Sequence, residues 1–133
     1  MSFEWLSVGD ILAIHEKVIR GSGGSSGILN QSAIESALVR HFTAFDSQEM
    51  FPELADKAGA FVHSSIQYHP FVDGNKRTAF LASIVIFKMN GFTIDPSDEL
   101  ESFFWSIARG EREPENIANY FKSRLRPYRK SPG

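Results

Sequence analysis

Residues 69–89 read HPFVDGNKRTAFLASIVIFKM, and this stretch decides how the 133-residue chain folds. Pro70 disfavours the α conformation in the residue before it, and Gly74 interrupts a helix, so residues 69–74 are predicted to form a loop. From residue 75 to residue 89, apolar side chains surround the helix axis almost completely. Such a helix is typical of the middle of a domain. The sequence therefore predicts a polar loop that leads into a buried central helix.

Five further segments combine capping residues with apolar side chains at helical spacing. Phe92-Thr93-Ile94 is short enough to be extended, and no period-two alternation indicates a sheet of more than two strands. The fold class is therefore predicted to be all-α, a compact bundle of about six helices. Ser7 begins the first helix, which runs through Ile19, and Asn30 or Ser32 caps the second. The third has Pro52 in its first turn and ends near Tyr68. The fifth runs from Ser97 to the break at Gly110, and Pro114 opens the sixth.

The glycine-rich stretch from Gly21 to Gly27 is predicted to be a loop, because its glycines cannot sustain a helix. Glycines in such a loop let the backbone approach another group closely. The length of 133 residues at 14.9 kDa indicates one domain over residues 1–133. Within it, residues 126–133 are basic and contain two prolines, so we expect a flexible tail there.

Composition excludes several function classes. The net charge of −2 argues against direct nucleic-acid binding. The absence of cysteine excludes disulfides, thiolate metal sites and cysteine nucleophiles. No apolar stretch reaches the ~20 residues that a membrane span needs, and the first ten residues do not resemble a signal peptide. We therefore expect a cytoplasmic protein without a membrane partner.

The loop before the central helix carries the densest polar cluster in the chain. Backbone N–H groups of Gly74, Asn75 and Lys76 lie at the positive end of the predicted helix, where they form an anion site that suits phosphate. Lys76 and Arg77 add two positive charges where basic residues oppose the helix dipole. An external anion would resolve that conflict.

Two more residues of this loop suit phosphate chemistry. Asp73 is a hard oxygen ligand, so a Mg²⁺ ion that bridges this carboxylate and phosphates is chemically natural. His69 is able to take a proton from a hydroxyl, because histidine is the side chain whose charge ordinarily changes close to physiological pH. Each residue alone also has a structural explanation, as a helix cap, a turn or a solvated charge. Their combination at one helix N-terminus favours a functional site.

The segment HPFVDGNKRTA resembles the signature of the Fic/Doc superfamily, HxFx(D/E)GN(G/K)R, and agrees with it at all nine positions. The resemblance extends over most of the chain, from about Leu6 to Phe121. It implies a small all-helical bundle with the motif between two central helices. The death-on-curing toxins of this superfamily are similar in further features, namely Ile14-His15 on the first helix, glycines 23, 24 and 27, and the stop at Asn90-Gly91.

The resemblance implies a role for each motif residue. His69 would deprotonate a target hydroxyl, and Asp73 would hold Mg²⁺. Phosphate contacts would come from Gly74, Asn75 and Arg77. Phe71 would fill the core and anchor the loop.

Two positions depart from the adenylylating pattern GNGRxxR, since Lys76 replaces its second glycine and Phe80 its second arginine. The death-on-curing toxins resemble this chain in both respects, and they transfer the γ-phosphate of ATP to a threonine of elongation factor Tu. The resemblance thus implies an ATP-dependent protein kinase that inhibits translation, in which Lys76 would stabilise the transferring group. Gly74, by contrast, is the glycine of the general motif.

Two alternatives stay open: a Fic-type adenylyltransferase that acts on a protein hydroxyl, and a catalytically silent nucleotide-binding module. Adenylylating relatives often carry an inhibitory (S/T)xxxE(G/N) helix. Here only Glu115 is followed by Gly or Asn, and Glu111 stands four residues before it. We therefore expect restraint by a separate small antitoxin, which would bind either beside residues 21–27 and the first two helices or along the face of residues 103–105.

Overall fold

A computed structural model of the chain describes residues 3–129, and within this range it is all-α, as predicted. The helices are joined by short loops, one 3₁₀ turn and four strands of two residues each. In chain order the elements are α1 (Val8–Ser22), α2 (Gln31–Val39), the 3₁₀ turn (Arg40–Phe42), β1 (Ala44–Phe45), β2 (Gln48–Glu49), α3 (Leu54–Gln67), α4 (Asn75–Met89), β3 (Phe92–Thr93), α5 (Asp98–Ala108), α6 (Pro114–Arg124) and β4 (Arg126–Pro127).

Helix α3 occupies the centre of the bundle and packs against α2, α4, α5 and α6. The all-round apolar pattern of α4 overstated its burial, because Val85 is 37% exposed and Ile84 is only partly covered. Small residues explain the difference, since Ala58, Gly59 and Ala60 let other helices approach α3 on several sides. The loop that was predicted to precede a buried helix therefore joins the central helix α3 to its neighbour α4.

The apolar core fills the space between these helices. Phe87 of α4 and Phe121 of α6 meet edge to face with ring centroids 5.0 Å apart, and both are fully buried. Edge-to-face contact is a favourable arrangement for aromatic pairs. None of the helices within residues 3–129 is long and apolar enough to cross a membrane.

Most predicted helix ends are confirmed by specific caps. Asn30, rather than Ser32, caps α2 with its side chain, and Ser97 caps α5. Pro114 is the first residue of α6, a position that suits a residue without an N–H donor. Pro52, however, lies before α3, because Glu53 is the N-cap and its N–H donates to Asp56. Helix α1 is longer than predicted and includes Gly21 and Ser22.

The short strands form two antiparallel pairs, a hairpin of β1 and β2 and a long-range pair of β3 and β4. Antiparallel β1 and β2 pair Ala44 with Glu49, a hairpin that the sequence analysis missed. Antiparallel β3 and β4 pair Thr93 with Arg126, whose guanidinium also binds the Asp95 carboxylate at 2.6–2.9 Å. Residues 126–133 were expected to be a flexible tail; Arg126 and Pro127 form β4, and residues 130–133 lie outside the described part of the chain.

Gly59 provides a test of the packing between α3 and α6. A Cβ atom at this position would lie 2.8 Å from the Pro114 carbonyl oxygen and 3.2 Å from the Ala118 Cβ. We expect Gly59→Ala to lower the free energy of unfolding by about 1–3 kcal/mol, since overpacking outweighs the better helix propensity of alanine. Urea denaturation measures the change.

Gly9 of α1 is the matched control, because its nearest neighbour to an added Cβ would be the Ser7 hydroxyl oxygen at 3.7 Å. We expect Gly9→Ala to raise the free energy of unfolding by up to about 1 kcal/mol. Equal stabilisation by both substitutions would contradict the close approach of α6 to α3.

Candidate active site

The loop between α3 and α4 begins and ends in left-handed backbone conformations. His69 has φ 47° and Gly74 has φ 79°. Histidine is among the non-glycine residues enriched in this region, and the following proline excludes the right-handed α conformation. At Gly74 an added Cβ would also lie 3.2 Å from Ile19 Cδ1 of α1. The loop therefore needs glycine at residue 74 and holds His69 in a strained conformation, which is typical of functional sites.

Asn75 fixes the middle of this loop. Its side-chain oxygen accepts a hydrogen bond from Phe71 N–H at 3.0 Å, and its amide nitrogen donates to the Phe71 carbonyl at 2.9 Å. Phe71 is 1% exposed, as the expected anchor role requires. The resemblance implied a phosphate contact for Asn75; in this structure both polar atoms of its side chain bond to Phe71.

His15 of α1 contacts the loop between α3 and α4 at Phe71 and Asp73. Its ring stacks on Phe71 at a centroid distance of 3.7 Å and an angle of 6°. Its Nε2 lies 2.8 Å from the Asp73 carbonyl oxygen, which is an acceptor only, so Nε2 carries the proton and donates. Sequence reasoning noted His15 as part of the first helix and missed this contact. The only signal of this contact in the sequence was that His15 is a polar residue on the buried face of the first helix.

The segment at residues 27–30 runs alongside the loop. Leu29 and Asn30 donate backbone hydrogen bonds to the Pro70 carbonyl at 2.8 and 3.1 Å, and Val72 donates to the Gly27 carbonyl at 3.0 Å. These bonds tie the end of the glycine-rich loop to residues 70–72. The loop between α3 and α4 is thus held by Asn75, by His15 and by this segment.

The Asp73 carboxylate faces the glycine-rich loop. Its Oδ1 accepts from Gly74 N–H at 2.8 Å, and its Oδ2 accepts from Ser25 N–H at 3.3 Å. At Gly24 an added Cβ would lie 2.5 Å from Asp73 Oδ2, so the expected close approach of these glycines is found here. The Gly74 N–H was predicted to bind an external anion, but it already has the Asp73 carboxylate as its acceptor.

Asp73 fits a Mg²⁺ ion that takes only one or two of its ligands from the protein. Its side chain is exposed, and its two oxygens offer more lone pairs than the two hydrogen bonds use. No group of three or more His, Asp or Glu residues within the described range is placed to hold a metal ion. Mg²⁺ commonly uses one or two carboxylates and completes its shell with water and substrate phosphates. The residues present therefore fit a metal that arrives with a phosphate ligand.

One cleft of about 450 Å³ is lined by all the predicted site residues, together with parts of α1, α3 and α5. The predicted residues are His69, Asp73, Gly74, Asn75, Lys76 and Arg77. His69 and Arg77 are exposed at this cleft. Gly74 is the N-cap of α4 and has no side chain that could accept from the N–H groups of the first turn. The geometry suits an anionic ligand beside a potential base.

Lys76 extends from the first turn of α4 toward α5. Its Nζ lies 3.3 Å from the centroid of the Trp105 ring. Burial lowers the pKa of Lys76, and the neighbouring Arg77 charge lowers it further, while Glu101 and Asp73 act in the opposite direction. Trp105 is 49% exposed and lies on the face of residues 103–105, one of the two surfaces that the sequence analysis named for an antitoxin. The sequence analysis did not predict the contact between Trp105 and Lys76.

Comparisons with known proteins identify the family of this chain. A family model described as the Fic/DOC family matches residues 5–87, more than half of the chain, and the chain therefore belongs to this family. A protein named Toxin Doc from Mycolicibacterium smegmatis is 31% identical over 84 residues, which cover 59% of this chain and 65% of the relative. A protein named Protein kinase doc from Escherichia phage P1 is 25% identical over 114 residues, which cover 86% of this chain and 90% of the relative.

Gly24 tests the contact between the glycine-rich loop and Asp73. We expect Gly24→Ala to displace the Asp73 carboxylate and to weaken its bonds to Ser25 and Gly74, at a cost of about 1 kcal/mol. Amide NMR signals of Ser25 and Gly74 should shift. Gly21→Ala is the matched control, because nothing lies within 4 Å of an added Cβ there. Unchanged Ser25 and Gly74 signals in Gly24→Ala would contradict the contact.

Proposed function

We propose that this chain is a Doc-like toxin that transfers the γ-phosphate of ATP to a hydroxyl of a target protein, with a translation factor of the elongation factor Tu type as the candidate target. The observation that carries the proposal is Lys76, which stands at the second glycine position of the adenylylating pattern and lines the same cleft as His69 and Asp73. The printed names of the two relatives, a toxin and a protein kinase, support it.

In the proposed reaction, the acceptor hydroxyl oxygen forms a bond to the γ-phosphorus while the bond from that phosphorus to the β–γ bridging oxygen breaks. His69 takes the hydroxyl proton on an unprotonated ring nitrogen, and ADP leaves with the bridging oxygen. The exposed position of His69 at the cleft allows a protein hydroxyl to reach it. General-base catalysis of this kind contributes about 10²–10⁴ in rate.

The remaining catalysis is positioning and charge neutralisation, as for other phosphoryl transfers. Lys76 and Arg77 lie in the first turn of α4, where the helix dipole adds to their positive charge. Asp73 would hold Mg²⁺, which neutralises phosphate charge when it is bound. Asn75 acts through the backbone of Phe71 and keeps the loop in its active shape.

Adenylyl transfer is the alternative, and Gly74 favours it, because it matches the general motif. Two observations oppose it. Lys76 fills space beside the cleft that a second glycine would leave open. Phe80, at the position of the second arginine, meets Phe104 edge to face at 5.2 Å and supplies no charge for a triphosphate.

One experiment separates the candidate functions. The purified chain is incubated with Mg²⁺, ATP and elongation factor Tu, and the factor is analysed by intact-mass spectrometry. Phosphoryl transfer adds about 80 Da and adenylyl transfer about 329 Da, as follows from the composition of the added groups. No added mass on this factor or on any protein of a whole-cell extract would favour the silent module.

A separate antitoxin is the proposed means of control. No (S/T)xxxE(G/N) segment that would inhibit the site from within occurs in the sequence. The proposed partner is a short chain whose amphipathic helix orders on binding to an apolar surface, as disordered segments commonly do. The half-exposed Trp105 face and the surface beside residues 21–27 both offer apolar side chains for such a partner.

His69→Ala tests the base. Because the imidazole acts on the acceptor and its side chain is exposed, we expect ATP affinity and thermal stability to stay within a small factor of the parent. The transfer rate should fall by about 10²–10⁴. Growth arrest on expression of the chain alone should disappear with it. A rate within a few-fold of the parent would refute the assignment of His69.

Lys76 tests the choice of reaction, and two substitutions separate its charge from its volume. Lys76→Met removes the charge and keeps the length, whereas Lys76→Gly removes both. We expect both variants to lose γ-phosphoryl transfer by about 10²–10³, as for removal of one electrostatic contact in a transition state. Only Lys76→Gly should show weak adenylyl transfer in the mass assay. Parent-level phosphorylation by either variant would show that Lys76 does not select the reaction.

A further inference from the structure

Trp105 is an exposed aromatic residue on α5 that none of the motif residues explains. It is 49% exposed, whereas its neighbours Phe103 and Phe104 are buried. A second cleft, of about 310 Å³, lies between its ring and the first turn of α4, and Lys76 and Arg77 line this cleft as well as the first. Lys76 therefore stands at the boundary between the two clefts, with its ammonium group over the Trp105 ring.

The contact between Lys76 and Trp105 has short, specific geometry. The Nζ atom lies 3.3 Å from the ring centroid, well within the ~6 Å over which an aromatic face attracts a cation. Trp is the strongest of the aromatic side chains in this interaction. The other lysine above an aromatic ring, Lys88 over Tyr128, lies farther away, at 5.0 Å.

Lys76 differs from the lysines that serve structure in this chain. Lys57 is paired with Glu49 at 3.0 Å, and Lys122 is paired with Glu53 and Asp56 at 2.9 and 3.0 Å. Within residues 3–129, Lys76 makes no ion pair at 4.0 Å or less. A carboxylate partner would neutralise the ammonium and compete with an incoming phosphate. An aromatic face fixes its position and leaves the full charge, with N–H donors free on the side away from the ring.

We propose that Trp105 is the positioning residue for Lys76: its ring holds the ammonium at the edge of the phosphate cleft, charged and without an acidic partner, ready for the transferring group. This inference rests on the proposed phosphotransferase function and adds a residue from α5 to the machinery of that site. Trp105 restricts a long, flexible side chain before the substrate arrives, which lowers the entropy lost when Lys76 contacts phosphate.

The test compares three variants. Trp105→Phe keeps an aromatic face, Trp105→Leu removes it, and Tyr128→Leu removes the aromatic partner of Lys88, which lies outside the site. Because Trp105 is half-exposed, we expect all three variants to fold. Two readouts are used: the NMR shifts of the lysine ε-CH₂ protons in the chain without nucleotide, and steady-state kcat and KM for ATP in transfer to elongation factor Tu.

We expect the Lys76 ε-CH₂ protons of the parent to be shifted to low frequency by the Trp105 ring current, an effect retained in Trp105→Phe and lost in Trp105→Leu. In Trp105→Leu, kcat should fall by roughly 2- to 30-fold, the range that corresponds to one cation–π contact. Trp105→Phe should restore most of the rate, and KM for ATP should change less than kcat. Tyr128→Leu should match the parent.

Three outcomes would overturn the inference. They are an unshifted Lys76 signal in the parent, an unchanged or higher kcat in Trp105→Leu, and equal losses in the Phe and Leu variants. Absence of transfer by the parent would reject the proposed function, and with it this inference. The two failures are distinguishable, because a parent that is active while Trp105→Leu keeps its rate rejects only the role of Trp105.

Discussion

The paired hydrogen bonds between the Asn75 side chain and the Phe71 backbone are the interaction on which the site depends. The loop leaves α3 in a left-handed conformation at His69 and enters α4 through another at Gly74, and its backbone pairs with residues 27–30. The Asn75 amide adds two bonds to this loop from inside the following helix. It thereby fixes Phe71 in the core, where His15 stacks on the ring and binds the Asp73 carbonyl. His69, the Asp73 carboxylate and the start of α4 are then held by one set of contacts.

The parts of the fold that local chemistry determines were predictable from the sequence. Asn30 and Ser97 begin helices because their side chains accept a hydrogen bond from a backbone N–H of the first turn. Pro114 begins one because it has no N–H that would need a partner there. Pro52 misled the prediction because Glu53 and Asp56 cap α3, which begins two residues later, at Leu54. The β1–β2 hairpin has Asp46 and Ser47 in left-handed conformations, without the glycine that normally marks such a turn. The relative burial of α3 and α4 depends on packing between distant segments, which apolar periodicity does not encode.

In the candidate site, too, local sequence predicts some features, and the packing of distant segments determines the others. The predicted site residues that line the cleft lie within nine consecutive positions, 69–77, so their juxtaposition follows from one loop and one helix start. Gly24, His15 and Trp105 reach the site from other segments, and only the packing of α1 and α5 against α4 reveals them. The sequence also assigned Asn75 and the Gly74 N–H to a ligand. In the folded chain they serve the loop first, because the Asn75 side chain bonds to the Phe71 backbone and the Gly74 N–H donates to the Asp73 carboxylate.

The charges at the start of α4 suggest a reason for the strained loop that precedes this helix. Lys76 and Arg77 lie beside each other at the positive end of a helix, and the Arg77 charge and burial both lower the pKa of Lys76. Without a ligand, this arrangement violates the usual preference for acidic residues in a first turn. Under the proposed function, a phosphate group in the cleft would attract both side chains and the helix end and would favour the protonated form of Lys76. The conflict in the free chain would then favour the binding of an anion, and an aromatic partner such as Trp105 holds Lys76 without removing that conflict.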